Sequence, residues 1–166
     1  MASSRNTQEE PMYHRTLSAT DARRLHGFLM VCEDGRQIYE EAAAQTDDPG
    51  LQKLLTDQAS TRSKTINALK PRYELHSGEQ LHHPRSVQGL LQQWCIELGQ
   101  RFGSEHAALS VLFSQLEKLE DHTLNMLYKT IRQIESGLLA KELSEQIVLV
   151  LESHHRLKQL KATYRL

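Results

Sequence analysis

Glu120 and the spaced pair Glu152-x-x-His155 are the residues whose types and positions could do chemistry in this chain. Three residues apart on a helix, Glu152 and His155 share one face. If the last hairpin spans about residues 136 to 140, a rise of about 1.5 Å per residue brings Glu120 within about 5 Å of their height on the preceding helix. One carboxylate facing Glu-x-x-His is half of a di-iron carboxylate site, because carboxylates bridge two hard cations and imidazole completes each coordination sphere. A different use of the same charges is also open. Arg62 interrupts an otherwise apolar stripe, and a guanidinium stays charged when partly buried and pairs with carboxylates through two parallel hydrogen bonds. Glu33 or Asp34, Glu117, Glu120 and Glu152 around it would make a buried ion network that holds helix register and does no chemistry. Arg62, Asp34 and Glu117 are its purely structural members.

These side chains have to be positioned by helices. Strand signals are missing: aromatics are few and no stretch sustains a period-two alternation. A first helix begins near Thr20–Asp21, with a stripe at Leu25, Phe28, Cys32, Gly35, Tyr39 and Ala42. Asp47-Asp48-Pro49-Gly50 ends it and starts a second, Pro49 suiting a first helical turn. That helix carries Leu51, Leu55, Ala59, Arg62, Ile66 and Leu69 and is expected to end near Lys70–Pro71. A loop with Gly78 and Pro84 follows, then a shorter helix carrying Val87, Leu90, Leu91, Trp94, Leu98 and Phe102. Gly103–Ser104 ends it and caps the third long helix, whose stripe is Phe113, Glu117, Glu120, Leu124, Leu127, Ile131, Ile134 and Leu138. After Gly137 a final helix carries Leu143, Ile147, Val150, His154, Leu157 and Tyr164.

Helix pair, crossover, helix pair is the order of an up-down-down-up four-helix bundle. The expected architecture is all-α: a flexible arm over residues 1–16, then a bundle over 17–166 with a short crossover helix between the second and third long helices. Glu33-Asp34 and Glu120-Asp121, each midway along its helix and each followed by a hairpin, give a weak internal repeat.

At 166 residues the chain fits one domain. Its 20 basic and 21 acidic residues balance to a net charge of −1, which argues against a nucleic-acid binder driven by a bulk basic field. Arg5, Arg15, Arg23 and Arg24 are the only basis for a DNA-protecting role, and Glu9 and Glu10 dilute them. Two cysteines make no disulfide framework and suit a reducing compartment. No segment looks like a signal peptide or a membrane span, so a soluble, cytoplasmic protein is expected.

The stretch from Cys32 to Ala43 (CEDGRQIYEEAA), the stretch from Asp47 to Leu69, Trp94 in the crossover and the third-helix stretch from Leu116 to Tyr128 resemble the ferritin-like superfamily. In particular they resemble a bacterial family of four-helix-bundle proteins with no assigned function. The resemblance covers about residues 20 to 164 and implies a Glu, Glu-x-x-His, Glu, Glu-x-x-His pattern over the four helices. The third and fourth helices supply Glu120, Glu152 and His155, and the first offers Glu33 or Asp34. The second departs, with Gln58, Arg62 and Thr65 at the matching level.

Two functions therefore compete. One is a non-catalytic structural or stress-related interaction scaffold in which an Arg62–carboxylate network replaces an ancestral metal site. The other is an iron or other divalent-metal protein, ferroxidase-like, using Glu33, Glu120, Glu152 and His155. No catalytic set and no cofactor other than such a metal is indicated. A homo-oligomer is consistent with pairing of bundle faces; no membrane or nucleic-acid partner is expected, and no protein partner is identified. Of the remaining residues, His76, His82 and His83 read as solvated loop histidines, His154 as a packed one and Cys32 as a small buried hydrophobe. Cys95 has no base and acid beside it to make a nucleophile, Trp94 anchors the crossover, and the phenols of Tyr39 and Tyr128 are expected near the centre, within reach of a carboxylate.

Overall fold

The computed structural model describes residues 17–78, 81 and 105–166. The N-terminal arm and the crossover positions at Pro84, Trp94 and Cys95, with His82 and His83, lie outside the described residues. Four helices make up the rest: α1 (Ala19–Gln45), α2 (Pro49–Ser77), α3 (Glu105–Gln133) and α4 (Gly137–Thr163). The described residues contain no strand.

Local chemistry fixes the helix ends. Ser18 caps α1, which starts at Ala19, one residue before the expected Thr20, and the Ser18 hydroxyl accepts from the Asp21 amide at 3.0 Å. Asp48 caps α2 by accepting from the Leu51 amide at 2.9 Å, with Pro49 in the first turn. Ser136 caps α4 through the Leu139 amide, so the last hairpin is tighter than expected, at residues 134–136. Leu138 consequently falls in the first turn of α4 and is exposed, not on the buried stripe of α3.

α2 does not stop at Pro71. It continues to Ser77 and ends at Gly78, whose φ of 65° supplies the left-handed cap. Proline removes one backbone hydrogen bond, but Pro71 and Asn67, the residue whose carbonyl loses its donor, lie on the solvent side. Beyond the proline, tertiary contacts hold the extra turns. Arg72 binds Glu142 of α4 through Nε (3.0 Å) and Nη2 (2.6 Å), and the Tyr73 ring lies 5.2 Å from that of His26. Packing outweighs propensity here.

The helices form a square. α1 and α4 each pack on both α2 and α3, which puts α2 diagonal to α3 and α1 diagonal to α4. Antiparallel contacts set the directions: Asp21 meets the α3–α4 hairpin, Tyr39 meets Glu120, Gln58 meets Ser153, and Asp48 meets Tyr164. The order is up, down, down, up.

Two apolar clusters fill the interior. One gathers Leu25, Phe28, Leu29, Leu69, Leu127, Leu143 and Val150, together with Leu81. The other gathers Tyr39, Leu51, Leu55, Phe113, Leu116 and Leu157. The expected stripes of α1 and α2 are buried in full, Arg62 included. On α4 the buried line is Leu139, Leu143, Gln146, Val150, Ser153 and Leu157, so Gln146 and Ser153 face inward in place of Ile147 and His154, which are half-buried.

Aspartates tie both ends of the bundle. Asp21, almost fully buried, accepts from the Glu135 amide at 3.0 Å and the Ser136 amide at 2.9 Å, while Arg24 donates to the Gln133 carbonyl. At the opposite end the Tyr164 hydroxyl donates to Asp48 at 2.6 Å. Burial and this bond push the Tyr164 phenol up to about 12, and the same bond with the Leu51 amide lowers the Asp48 carboxyl. Asp21→Ala leaves two hairpin amides unpaired and is expected to cost about 2–3 kcal/mol. In thermal denaturation this is a fall of roughly 5–10 °C; an unchanged midpoint would mean the carboxylate does not tie α1 to the hairpin.

Candidate functional site

Between the two apolar clusters lies a polar layer. Arg62 projects from α2 across the diagonal and its Nη2 donates to Glu120 Oε1 on α3 at 2.6 Å, with both side chains fully buried. The Tyr39 hydroxyl, from α1, donates to the same oxygen. Three of the four helices therefore meet at one carboxylate. α4 enters the layer beside them: Gln58 of α2 donates to the Ser153 carbonyl at 2.7 Å and accepts from the Ser153 hydroxyl at 2.6 Å. Thr61 and Thr123 return their hydroxyls to carbonyls four residues back, so they pass through the interior without an unmet donor.

Gly35 explains how a guanidinium fits. A Cβ built there would lie 3.3 Å from Arg62 Nε and 3.7 Å from Arg62 Cδ, so the missing side chain lets α1 close over the arginine.

Low polarity around these groups sets their ionisation. Burial works against the charge on Arg62, but Glu120 foremost, then Tyr39 and Cys32, outweigh it and hold the guanidinium above its ordinary value. Burial pushes the Cys32 thiol up to about 12, with Arg62 opposing and Glu120 adding to the rise. The Tyr39 phenol is driven well up by burial and then by Glu120. Thiol and phenol are thus neutral, and neither is an activated nucleophile.

The sequence-derived candidates separate into those brought together and those kept apart. Arg62 and Glu120 meet. Glu33 is buried on α1 but is held by Arg36 and by Gln37 Nε2 at 3.2 Å. Asp34 is half-buried on α1. Glu117 pairs with Lys161 at 2.8 Å, not with Arg62. Glu152 and His155 are exposed; Glu152 lies 3.6 Å from Arg156. They sit near the level of Glu120, as the rise per residue required, since Asp121 lies 3.7 Å from His154 and Glu117 pairs with Lys161, but they face outward. Tyr128, expected near the centre, is 38% exposed. Among the described residues no three His, Cys, Asp or Glu side chains gather closely enough to hold a metal ion. His76 lies within α2, not in a loop.

Sequence reasoning missed Ser153 and the closeness of Gly35 to Arg62. A signal for Ser153 existed, because Gln146, Val150, Ser153 and Leu157 recur at steps of four and three.

These features define an all-α four-helix bundle cut across its middle by a buried arginine–carboxylate–phenol layer. Residues 21–133, which hold Tyr39, Arg62 and Glu120, match the family described as a domain of unknown function (DUF2383), and the chain belongs to that family. No curated protein and no solved structure matches it. No helix among the described residues is long and apolar enough to cross a membrane.

The raised groups fix a pH response. A neutral group with a raised pKa contributes stability below its unfolded value and loses it as pH climbs toward the folded one. For Cys32 that window runs from 9.0 to about 12, and for Tyr164 from 10.0 to about 12. Urea unfolding should show stability falling steadily over this range, with Cys32→Ala flattening its lower part. A profile unchanged by Cys32→Ala would place the thiol in contact with water.

Proposed function

We propose that this protein is a non-catalytic structural or stress-related interaction scaffold, a ferritin-like bundle in which the Arg62–Glu120 pair stands where an ancestral metal site would have been. The observation that carries this reading is the sealed ion pair. A fixed guanidinium already neutralises the Glu120 carboxylate, and Tyr39 donates to the same oxygen. A divalent cation approaching Glu120 would face Arg62 out of reach of the bulk solvent that would screen the repulsion. The outward placement of Glu152 and His155 supports the same reading, since these residues do not fit a metal shared with Glu120. The up-down-down-up order, with its one long connection, supports the ferritin-like assignment.

The competing reading is an iron protein using Glu33, Glu120, Glu152 and His155, and metal content separates the two. Purified full-length chain incubated anaerobically with iron(II) and desalted should retain no iron. Iron retained at one per chain or more, and lost in Glu152→Ala/His155→Ala, would overturn the scaffold reading. Both of those side chains are exposed, so the variant should fold as the parent does.

A further inference from the structure

The Arg62–Glu120 contact uses half of each partner. Glu120 Oε1 accepts from both Arg62 Nη2 and the Tyr39 hydroxyl, while Glu120 Oε2, Arg62 Nε, Arg62 Nη1 and Thr65 Oγ1 have no hydrogen-bond partner. All four side chains are fully buried. A guanidinium fork and a carboxylate can pair through two parallel bonds, and here they do not. What remains is a complementary set: three N–H bonds and a hydroxyl that can donate, and one carboxylate oxygen that can accept. Gly35 presents no side chain on the Nε side, where the three atoms nearest to an added Cβ would all belong to Arg62.

We propose that the central layer is a binding site for internal water, one or two molecules taken up between Arg62 Nε and Nη1 and Glu120 Oε2. Water both accepts and donates, which this mixture of groups requires. An ion does not fit: Arg62 and Glu120 already cancel, so an anion would crowd the carboxylate and a cation would crowd the guanidinium. Immobilising a water costs less than leaving charged N–H and carboxylate groups unpaired in an apolar surrounding. Thr65, one turn along α2 from Arg62, offers its hydroxyl to the same water. The site rests on the geometry of the layer and not on the scaffold role.

Oxygen-17 magnetic relaxation dispersion on the full chain tests the proposal, because it counts waters held longer than the protein takes to tumble. The native protein should show at least one long-lived water that is missing from Arg62→Met/Glu120→Met. Equal counts would overturn the proposal. A high-resolution crystal structure of the native chain gives a second answer whether or not that variant folds. An electron-density peak within hydrogen-bond distance of Arg62 Nε or Nη1 and of Glu120 Oε2 is expected. Closed protein packing at that place, or an anomalous signal there in a bromide-soaked crystal, would rule the water site out.

Discussion

A guanidinium and a carboxylate removed together from water constrain everything else in this bundle. Transferring either charge alone into an apolar interior costs several kcal/mol even after relaxation, on the order of what holds a whole domain together. The two are tolerable only where they touch, and they sit on α2 and α3, diagonal helices that do not pack on each other directly. The pair therefore reaches through the bundle axis. Sliding one helical hairpin along the other by a single turn, about 5.4 Å, would separate the charges and leave both buried. A stack of leucines would oppose that slip far less, because apolar contact has no direction. In the scaffold reading proposed above, register is fixed electrostatically at the centre, and the buried ion pair contributes specificity more than stability.

The surroundings close that contact off from bulk solvent and set its dimensions. Phe28, Leu29 and Leu127 belong to the apolar cluster on one side, and Phe113 and Leu116 to the cluster on the other. Gly35 thins α1 where the arginine passes. Tyr39 supplies a neutral donor to Glu120 from the neighbouring helix, and Gln58 and Ser153 satisfy one another so that α4 brings no unpaired group into the layer through that pair. Further out, Asp21 and Asp48 tie the two ends through contacts that likewise join one hairpin to the other. Apolar area provides the driving force, and directional bonds decide how the two hairpins meet.

Much of this was legible in the residues. The stripes of α1 and α2 came through with Arg62 in place, because steps of three and four mark a buried helical face whatever residue occupies it. Axial level was also legible, since residues on antiparallel neighbours can be counted from a hairpin. Rotation about the helix axis was not: a step of one residue turns a helix by about 100°, and that separates the buried Ser153 from the exposed Glu152. Glu152-x-x-His155 has the right spacing on the wrong face. α2 outlasted Pro71 because Arg72 and Tyr73 find partners beyond it, which no local propensity encodes. The ring of Tyr128 was placed at the centre by its position along α3, and it fails by the same loss of rotation.

Coupling between Arg62 and Glu120 is the central physical requirement of this bundle. A double-mutant cycle with Arg62→Met, Glu120→Met and both together, followed by urea unfolding at neutral pH, measures it directly. Each single change should cost about 3–5 kcal/mol because it strands a buried charge. The double change should cost less than the sum by about 2 kcal/mol or more, since neither charge is then left alone. Losses that add to within about 0.5 kcal/mol would show that the two residues act independently, and the central pair would not be what holds the hairpins in register.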